Sequence, residues 1–160
     1  MRIFVTLGTQ NKSFARLLRA IDASRAARDH DILVQAGYTR FKPSSPRMEL
    51  FSFCGPEELD RHLEEADLIV THAGVGSITS ALAHGKRVIA VPRKAALGEM
   101  GNDHQHDILR AFASKGYLIA LEDPELLDEA VAEALAFSPQ PYVHNIDAIL
   151  TTVTRYIDTH

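Results

Sequence analysis

The stretch 67–82 constrains the fold most, because it has the pattern of a buried strand, a glycine turn and the start of a helix. The run 68–70, Leu-Ile-Val, is short and apolar between polar neighbours, which is typical of a strand inside a sheet. Gly74 and Gly76 follow it, and residues without a Cβ let the backbone turn sharply and approach a ligand. Ser77 is predicted to cap the following helix with its hydroxyl.

This turn has two interpretations. The free N–H groups and the partial positive charge of a helix N-terminus suit a phosphate. The same glycines also suit a plain tight connection between a strand and a helix. The stretch alone favours neither interpretation, so the rest of the chain has to decide between them.

Strands and helices alternate along the whole chain. Strands are predicted at 3–7, 31–36, 48–53, 67–71, 88–91 and 117–120, and the helices between and after them begin near Ser13, Pro56, Gly76, His104 and Asp123. This alternation predicts an α/β fold, namely a Rossmann-like, mainly parallel sheet with helices on both faces. The 160 residues are enough for one domain, predicted to span 1–160.

The tail, 141–160, is predicted to form an amphipathic C-terminal helix. Apolar residues recur in it at spacings of three and four: Val143, Ile146, Leu150, Val153 and Ile157. We expect this face to pack on its own domain; the alternative is that part of it serves a partner.

Charge and cysteine content exclude several classes of protein. The net charge is −4 and no basic block stands out, so no nucleic-acid partner is expected. Cys54 is the only cysteine, which rules out an internal disulfide and suits a reducing, cytoplasmic location. The apolar start is too short for a signal peptide, and no apolar run approaches the length of a bilayer span. Action at a membrane therefore requires docking on another component.

Candidate ligand-binding residues follow three of the predicted strands. Ligands of an open parallel sheet bind outside the carboxyl ends of its strands. The segments found there are Gly8-Thr9-Gln10, the stretch 72–77, and the loop 92–105 with Arg93, Glu99, Asp103 and Gln105. Backbone donors and Arg93 suit phosphate, whereas Asp103 and Gln105 suit hydroxyl groups. The sequence therefore predicts a site for a nucleotide diphosphate carrying a sugar, with His72 facing the turn.

Other chemistries have weaker support. The turn has Thr79 where a dinucleotide-binding fingerprint has its third glycine, and there is no P-loop motif. His104 and His106 are two apart, so they do not share a helix face. With one cysteine and no H-E-x-x-H, neither a metal nor a cofactor is expected. Ser77 does not stand in a G-x-S-x-G hydrolase motif.

An ordered set of motifs resembles the small subunits of glycosyltransferase family 28. The set comprises 4–9, 66–77, 91–93, Gly98-Glu99, Asp103-His104-Gln105 and Gly116-Tyr117. Such subunits are similar to the carboxyl-terminal, donor-binding half of a two-domain GT-B transferase, as in the enzyme that forms lipid II. In the dolichol pathway and in bacterial exopolysaccharide clusters, a membrane-anchored partner supplies the other half.

The resemblance implies a hexosyltransferase subunit that transfers a sugar, with inversion, from a UDP-sugar to a lipid-linked saccharide acceptor. It also implies a cytoplasmic protein that is held peripherally at the membrane by its partner. It implies that the UDP-sugar contacts Gly8, Thr9, His72, Gly74, Val75, Gly76, Ser77, Ser80, Arg93, Glu99, Asp103, His104 and Gln105. Ser80 departs from the pattern, because the family commonly has a glutamate there that binds ribose hydroxyls. The donor sugar stays open between glucuronate, galactose and N-acetylglucosamine.

The catalytic base is expected to come from the partner subunit, since a GT-B cleft opens between the two halves. Glu99 is the only candidate within this chain. The alternative function is a nucleotide-binding or regulatory module without turnover, which Ser80 and the absence of an acceptor domain favour. A redox enzyme on the same sheet would have to bind NAD or NADP.

Overall fold

The protein contains a six-stranded, fully parallel sheet. The computed structural model describes residues 1–142, 151, 153–155, 157 and 158. The strands are β1 (Arg2–Thr6), β2 (Asp31–Gln35), β3 (Met48–Phe51), β4 (Leu68–His72), β5 (Arg87–Val91) and β6 (Ile119–Ala120). Their order in the sheet is β3-β2-β1-β4-β5-β6, and each neighbouring pair is parallel. The Rossmann-like fold class predicted from the sequence is therefore confirmed.

Within residues 1–142, six helices connect and follow the strands. They are α1 (Ala15–Ala23), α2 (Ala26–Asp29), α3 (Pro56–Glu65), α4 (Val75–Ala83), α5 (His104–Ser114) and α6 (Leu127–Ala136), and 3₁₀ turns occupy Ala95–Leu97 and Pro124–Leu126. Helix α6 starts later than predicted, because the Asp123 carboxylate accepts from the Glu125 N–H and a 3₁₀ turn forms first. The four-residue α2 was not predicted, since it is too short to show a hydrophobic period.

The hydrophobic core forms one cluster on each face of the sheet. Successive strand residues point to opposite faces, so Ile3 and Val5 join one cluster while Phe4 joins the other. The first cluster includes the inner faces of α1 and α6, and the second those of α4 and α5. The prediction of helices on both faces is confirmed.

The strand order creates a crevice between β1 and β4. The chain runs outward from β1 through β2 to β3, then returns to the other side of β1 with β4. In sheets of this kind, ligands bind at the carboxyl ends of the strands where the order reverses. Ile3–Thr6 pair with Leu68–Thr71, so the segments that follow β1 and β4 lie side by side.

Part of the tail lies in the described chain. Val153 is buried in the same cluster as α4 and α5, and Ile157 is exposed. Val143, Ile146 and Leu150 of the predicted amphipathic helix are outside the described residues, so that helix and the domain limits 1–160 stay predictions. Within the described residues, no helix is long and apolar enough to span a bilayer.

Candidate functional site

A cavity of about 480 Å³ opens at the carboxyl edge of the sheet between β1 and β4. We call it the β1–β4 cavity. Its lining contains many of the residues predicted to bind the donor: Gly8, Thr9, His72, Gly74, Val75, Gly76, Ser77 and Ser80. The structure therefore brings these residues together, as the topology of a parallel sheet requires; their ligand contacts remain a prediction.

The N-terminus of α4 forms one wall of this cavity. The helix begins at Val75 with Gly74 as its N-cap, and no side chain among the described residues caps it. The first N–H groups of a helix have no partner within the helix, so those of 75–77 are available at the cavity. Ser77 is the third helical residue rather than the cap, so the predicted capping role is wrong.

The His72 imidazole lies between two glycines. A Cβ at Gly8 would be 2.3 Å from the His72 Nε2, and a Cβ at Gly74 would be 2.4 Å from its Cε1. Gly8 also has a φ of +74°, which other residues rarely adopt. These two glycines therefore make room for a side chain, a need that the sequence did not reveal. At Gly76, by contrast, a Cβ would meet nothing within 4 Å.

His72 is buried and hydrogen-bonded at both ring nitrogens. Its Nε2 is 3.1 Å from the Ser77 Oγ, and its Nδ1 is 3.0 Å from the Gln105 Nε2. Burial, as the larger cause, and the nearby Arg93 guanidinium together lower the pKa of His72 to about 4. At neutral pH the ring is therefore uncharged, so it acts at the cavity as a hydrogen-bonding group and not as a cation.

The buried ring makes stability depend on pH. The pKa of His72 is about 4 in the folded chain against 6.5 ordinarily, so the unfolded chain binds more protons between these values. The free energy of unfolding is therefore expected to fall as pH drops from 6.5 to 4, by about 3 kcal/mol from this residue. Urea unfolding at pH 7.5 and 4.5 measures this, and His72→Asn should lose that component. Replacing the exposed His104 with asparagine is the control; equal pH dependence in all three proteins would contradict the assignment.

Arg93 occupies a different place from the one predicted. Its side chain is only 1% exposed, and the guanidinium donates to the carbonyls of Leu7 (2.7 Å), Lys12 (2.8 Å) and Glu99 (3.3 Å). It also lies over the Phe14 ring, 4.9 Å from the centroid. The expected phosphate contact is corrected: the guanidinium is inside the protein, where it ties the loop after β1 to the loop after β5.

Glu99 is held in an ion pair. The carboxylate is buried and receives two hydrogen bonds from Arg16, at 2.9 and 3.0 Å, and one from the Lys94 N–H at 3.0 Å. Both oxygens of this carboxylate are therefore occupied by donors from the protein itself. It is also absent from the lining of the β1–β4 cavity. The structure therefore does not favour Glu99 as a catalytic base.

The remaining predicted residues of the loop 92–105 also lie outside the cavity lining. The Asp103 carboxylate accepts from the Ala95 N–H and so shapes the loop itself, while His104 is exposed. Gln105 is 3% exposed and contacts His72 from the protein interior. The loop 92–105 therefore does not converge on the cavity as expected. Gln105 contacts the cavity residue His72, but none of the predicted residues of this loop lines the cavity.

Several cavity residues were not predicted as site residues: Thr6, Gln35, Leu59 and Leu63. Gln35 accepts from the Thr6 hydroxyl at 2.6 Å and donates to the carbonyls of Gly8 and Ser52. It thereby holds the loop after β1 against the end of β3. The signal was available, since Gln35 is a polar residue that directly follows the apolar run Ile32–Val34 at the carboxyl end of the strand next to β1.

The fold and the cavity define a class. A doubly wound parallel sheet, with a free helix N-terminus at the point where its strand order reverses, is the architecture of a Rossmann-like domain. A family model, the glycosyltransferase family 28 C-terminal domain, matches residues 2–159. The chain belongs to this family.

Two relatives share one name. UDP-N-acetylglucosamine transferase subunit ALG13 of Eremothecium gossypii is 31% identical over 148 residues, which are 89% of this chain and 70% of that protein. The mouse protein of the same name is 28% identical over 126 residues, which are 73% of this chain. The chain spans only 10% of that mouse protein.

Solved structures agree in fold. An NMR structure of ALG13 superposes with a TM-score of 0.65 at 18% identity, covering 98% of this chain and 96% of that one. The calicheamicin glycosyltransferase CalG4 superposes with a TM-score of 0.63 at 19% identity, covering 97% of this chain and 37% of that one. This agreement confirms the expected likeness in fold to one part of a larger glycosyltransferase.

Proposed function

We propose that this chain is the donor-binding subunit of an inverting glycosyltransferase and that a UDP-sugar occupies the β1–β4 cavity. The observation that carries the proposal is the uncapped N-terminus of α4 at this cavity, beside the His72–Ser77 pair, in a chain of family 28. Free N–H groups at a helix N-terminus stabilise a diphosphate and the charge that grows on it as it leaves. The cavity volume falls in the range of small-molecule sites.

The acceptor in this proposal is a lipid-linked saccharide, and a membrane-anchored partner subunit supplies the acceptor half and the catalytic base. Two features support a partner. The described lining of the cavity contains no carboxylate, and Glu99 is engaged by Arg16. The relatives are named as subunits of a transferase. The chain then works in the cytoplasm, at the membrane through its partner.

Calorimetry with UDP and a transfer assay test this function. We expect UDP to bind the isolated chain, and label from a UDP-sugar to reach a lipid-linked saccharide once the partner is added. Glucuronate, galactose and N-acetylglucosamine donors are compared. If UDP binds but no matched partner and donor give transfer, the chain is a nucleotide-binding module without turnover, as the lack of a base in the cavity would suggest. Binding of NAD in place of UDP would contradict both functions.

Ser80 offers a separate prediction. It is exposed at the cavity, three residues after Ser77 on the same face of α4. Ser80→Glu is expected to tighten UDP about tenfold, because a carboxylate accepts hydrogen bonds from two ribose hydroxyls. The affinity for uridine should increase by the same factor, and the affinity for pyrophosphate should not increase. Ser138→Glu, on an exposed serine outside the cavity lining, is the matched control; unchanged or weaker binding of UDP to Ser80→Glu would remove Ser80 from the ribose site.

A further inference from the structure

A chain of polar contacts leads from the β1–β4 cavity into the protein. It runs from Ser77 through His72 to Gln105 and ends at the main-chain N–H of Arg93. We propose that Gln105 is a positioning residue that keeps the His72 proton on Nε2, so that Ser77 retains its own hydroxyl proton for a phosphate oxygen. Only the last step, the phosphate contact, depends on the proposed function.

The first step fixes the orientation of the Gln105 amide. The Arg93 N–H lies 3.1 Å from the Gln105 side chain, and a main-chain N–H can only donate. The group that faces it is therefore the carbonyl oxygen, and the NH₂ group faces His72. A flipped amide would oppose two donors at Arg93, and Gln105 is too buried for water to relieve this.

The second step fixes the tautomer of His72. An amide NH₂ group only donates, so the His72 Nδ1 at 3.0 Å has to offer a lone pair. The ring is uncharged near neutral pH, since its pKa is about 4. Its single proton is therefore on Nε2, which donates to the Ser77 Oγ at 3.1 Å.

The third step concerns Ser77. A hydroxyl has one proton to donate and two lone pairs to accept with. When the His72 Nε2–H donates to the Ser77 oxygen, the hydroxyl proton stays free for a ligand in the cavity that Ser77 lines. In the other tautomer, the bare Nε2 would take this proton, and the Ser77 lone pairs would face the phosphate. The position of one proton on His72 thus decides whether Ser77 attracts or repels an anion.

The glycines on both sides of the ring support this arrangement. Gly8 and Gly74 approach the imidazole so closely that no Cβ would fit at either position. Their backbones hold the ring between them, so a wrong tautomer is not easily corrected by turning the ring. The tautomer therefore has to be set by the partner of Nδ1, which is Gln105.

Glutamate at position 105 is expected to favour the opposite tautomer of His72. A carboxylate still accepts from the Arg93 N–H, but its second oxygen faces Nδ1 and also requires a donor there. Gln105→Glu is therefore expected to place a proton on the Nδ1 of His72. Gln105→Met has no donor and only a weakly accepting sulfur, so it is expected to leave a mixture of tautomers.

Nitrogen NMR of histidine-labelled protein tests the tautomer without any nucleotide. At pH 7 the wild-type His72 should show a protonated Nε2 and a bare Nδ1, and Gln105→Glu should show a protonated Nδ1. Gln140→Glu, at an exposed glutamine, is the matched control and should resemble wild type. A wild-type Nδ1–H tautomer, or an average of both, would overturn the proposal. The wild-type spectrum decides this even if a variant does not fold.

Calorimetry with UDP tests the phosphate step, at a pH where the spectrum shows a singly protonated His72. Ser77→Ala and Gln105→Glu are each expected to weaken UDP about tenfold. The double variant should bind no more weakly than Ser77→Ala alone, because Gln105 acts through Ser77. Uridine binding should not change. Additive losses, or an equal loss of uridine, would indicate a merely structural role. A wild-type chain with the Nε2–H tautomer but no UDP binding contradicts the proposed function and the phosphate step, not the tautomer.

Discussion

Replacing Gly76 with valine is expected to weaken UDP binding by about 100-fold or more while the fold persists. Gly76 is the second residue of α4, is exposed, and lines the β1–β4 cavity. A Cβ there meets no atom within 4 Å, so the new side chain causes no clash inside the protein and instead occupies space that the diphosphate needs. Losing close approach to the helix N–H groups removes charge-assisted hydrogen bonds worth about 1.5–3 kcal/mol each.

Gly101→Val is the matched control for this variant. Gly101 is exposed, has no neighbour within 4 Å of a Cβ, and lies outside the cavity lining. Its substitution should leave UDP binding within a factor of two or so, as ordinary surface changes do. Urea unfolding of both variants confirms that the fold persists. If the Gly76 variant bound UDP like wild type in calorimetry, the N-terminus of α4 would not be the diphosphate site.

The fold could be predicted because its signals are local. Each strand is a short apolar run between polar or glycine residues, and each long helix repeats its apolar residues every three or four positions. The start of α6 moved from near Asp123 to Leu127, because the Asp123 carboxylate caps a 3₁₀ turn that comes first. The four-residue α2 shows no period, so nothing in the sequence could reveal it.

The position of the β1–β4 cavity was predictable for a topological reason. The carboxyl ends of parallel strands share one edge, so the residues after β1 and β4 had to meet. The direction of each side chain was not predictable, because it depends on partners far along the chain. Arg93 turns inward because the carbonyls of Leu7 and Lys12, more than eighty residues earlier, converge on it. Glu99 likewise pairs with Arg16.

The glycine turn shows the same limit. The sequence suggested that Gly74 and Gly76 admit a ligand, but only Gly76 faces open space. Gly74 makes room for His72, and so does Gly8, which lies on a different strand connection. A glycine that the sequence indicates as a ligand contact can thus be needed in the folded protein to make room for another side chain.

Among the variants proposed for this protein, Arg93→Met is expected to lose the most stability, about 3–5 kcal/mol in the free energy of unfolding. Methionine fills much of the space but donates no hydrogen bond, so the buried guanidinium contacts to the carbonyls of Leu7, Lys12 and Glu99 are lost together. The loop after β1 then loses its tether to the loop after β5. Because Arg93 also lowers the pKa of His72, that pKa should rise toward 6.5 in the variant.

Urea unfolding and an NMR titration of His72 measure these two effects. Arg93→Lys keeps a positive charge but replaces the planar guanidinium fork with a single ammonium group, which is not expected to reach all three carbonyls. It should therefore restore only part of the stability. Arg40→Met, at an exposed arginine, is the control and should cost less than about 0.5 kcal/mol. A loss below about 1 kcal/mol in Arg93→Met, with the His72 pKa unmoved, would mean that the guanidinium neither tethers the loops nor affects the imidazole. If Arg93→Met lost much of the free energy of unfolding while Arg93→Lys were as stable as wild type, the charge alone would explain the effect, and not the hydrogen bonds to three carbonyls that the structure shows.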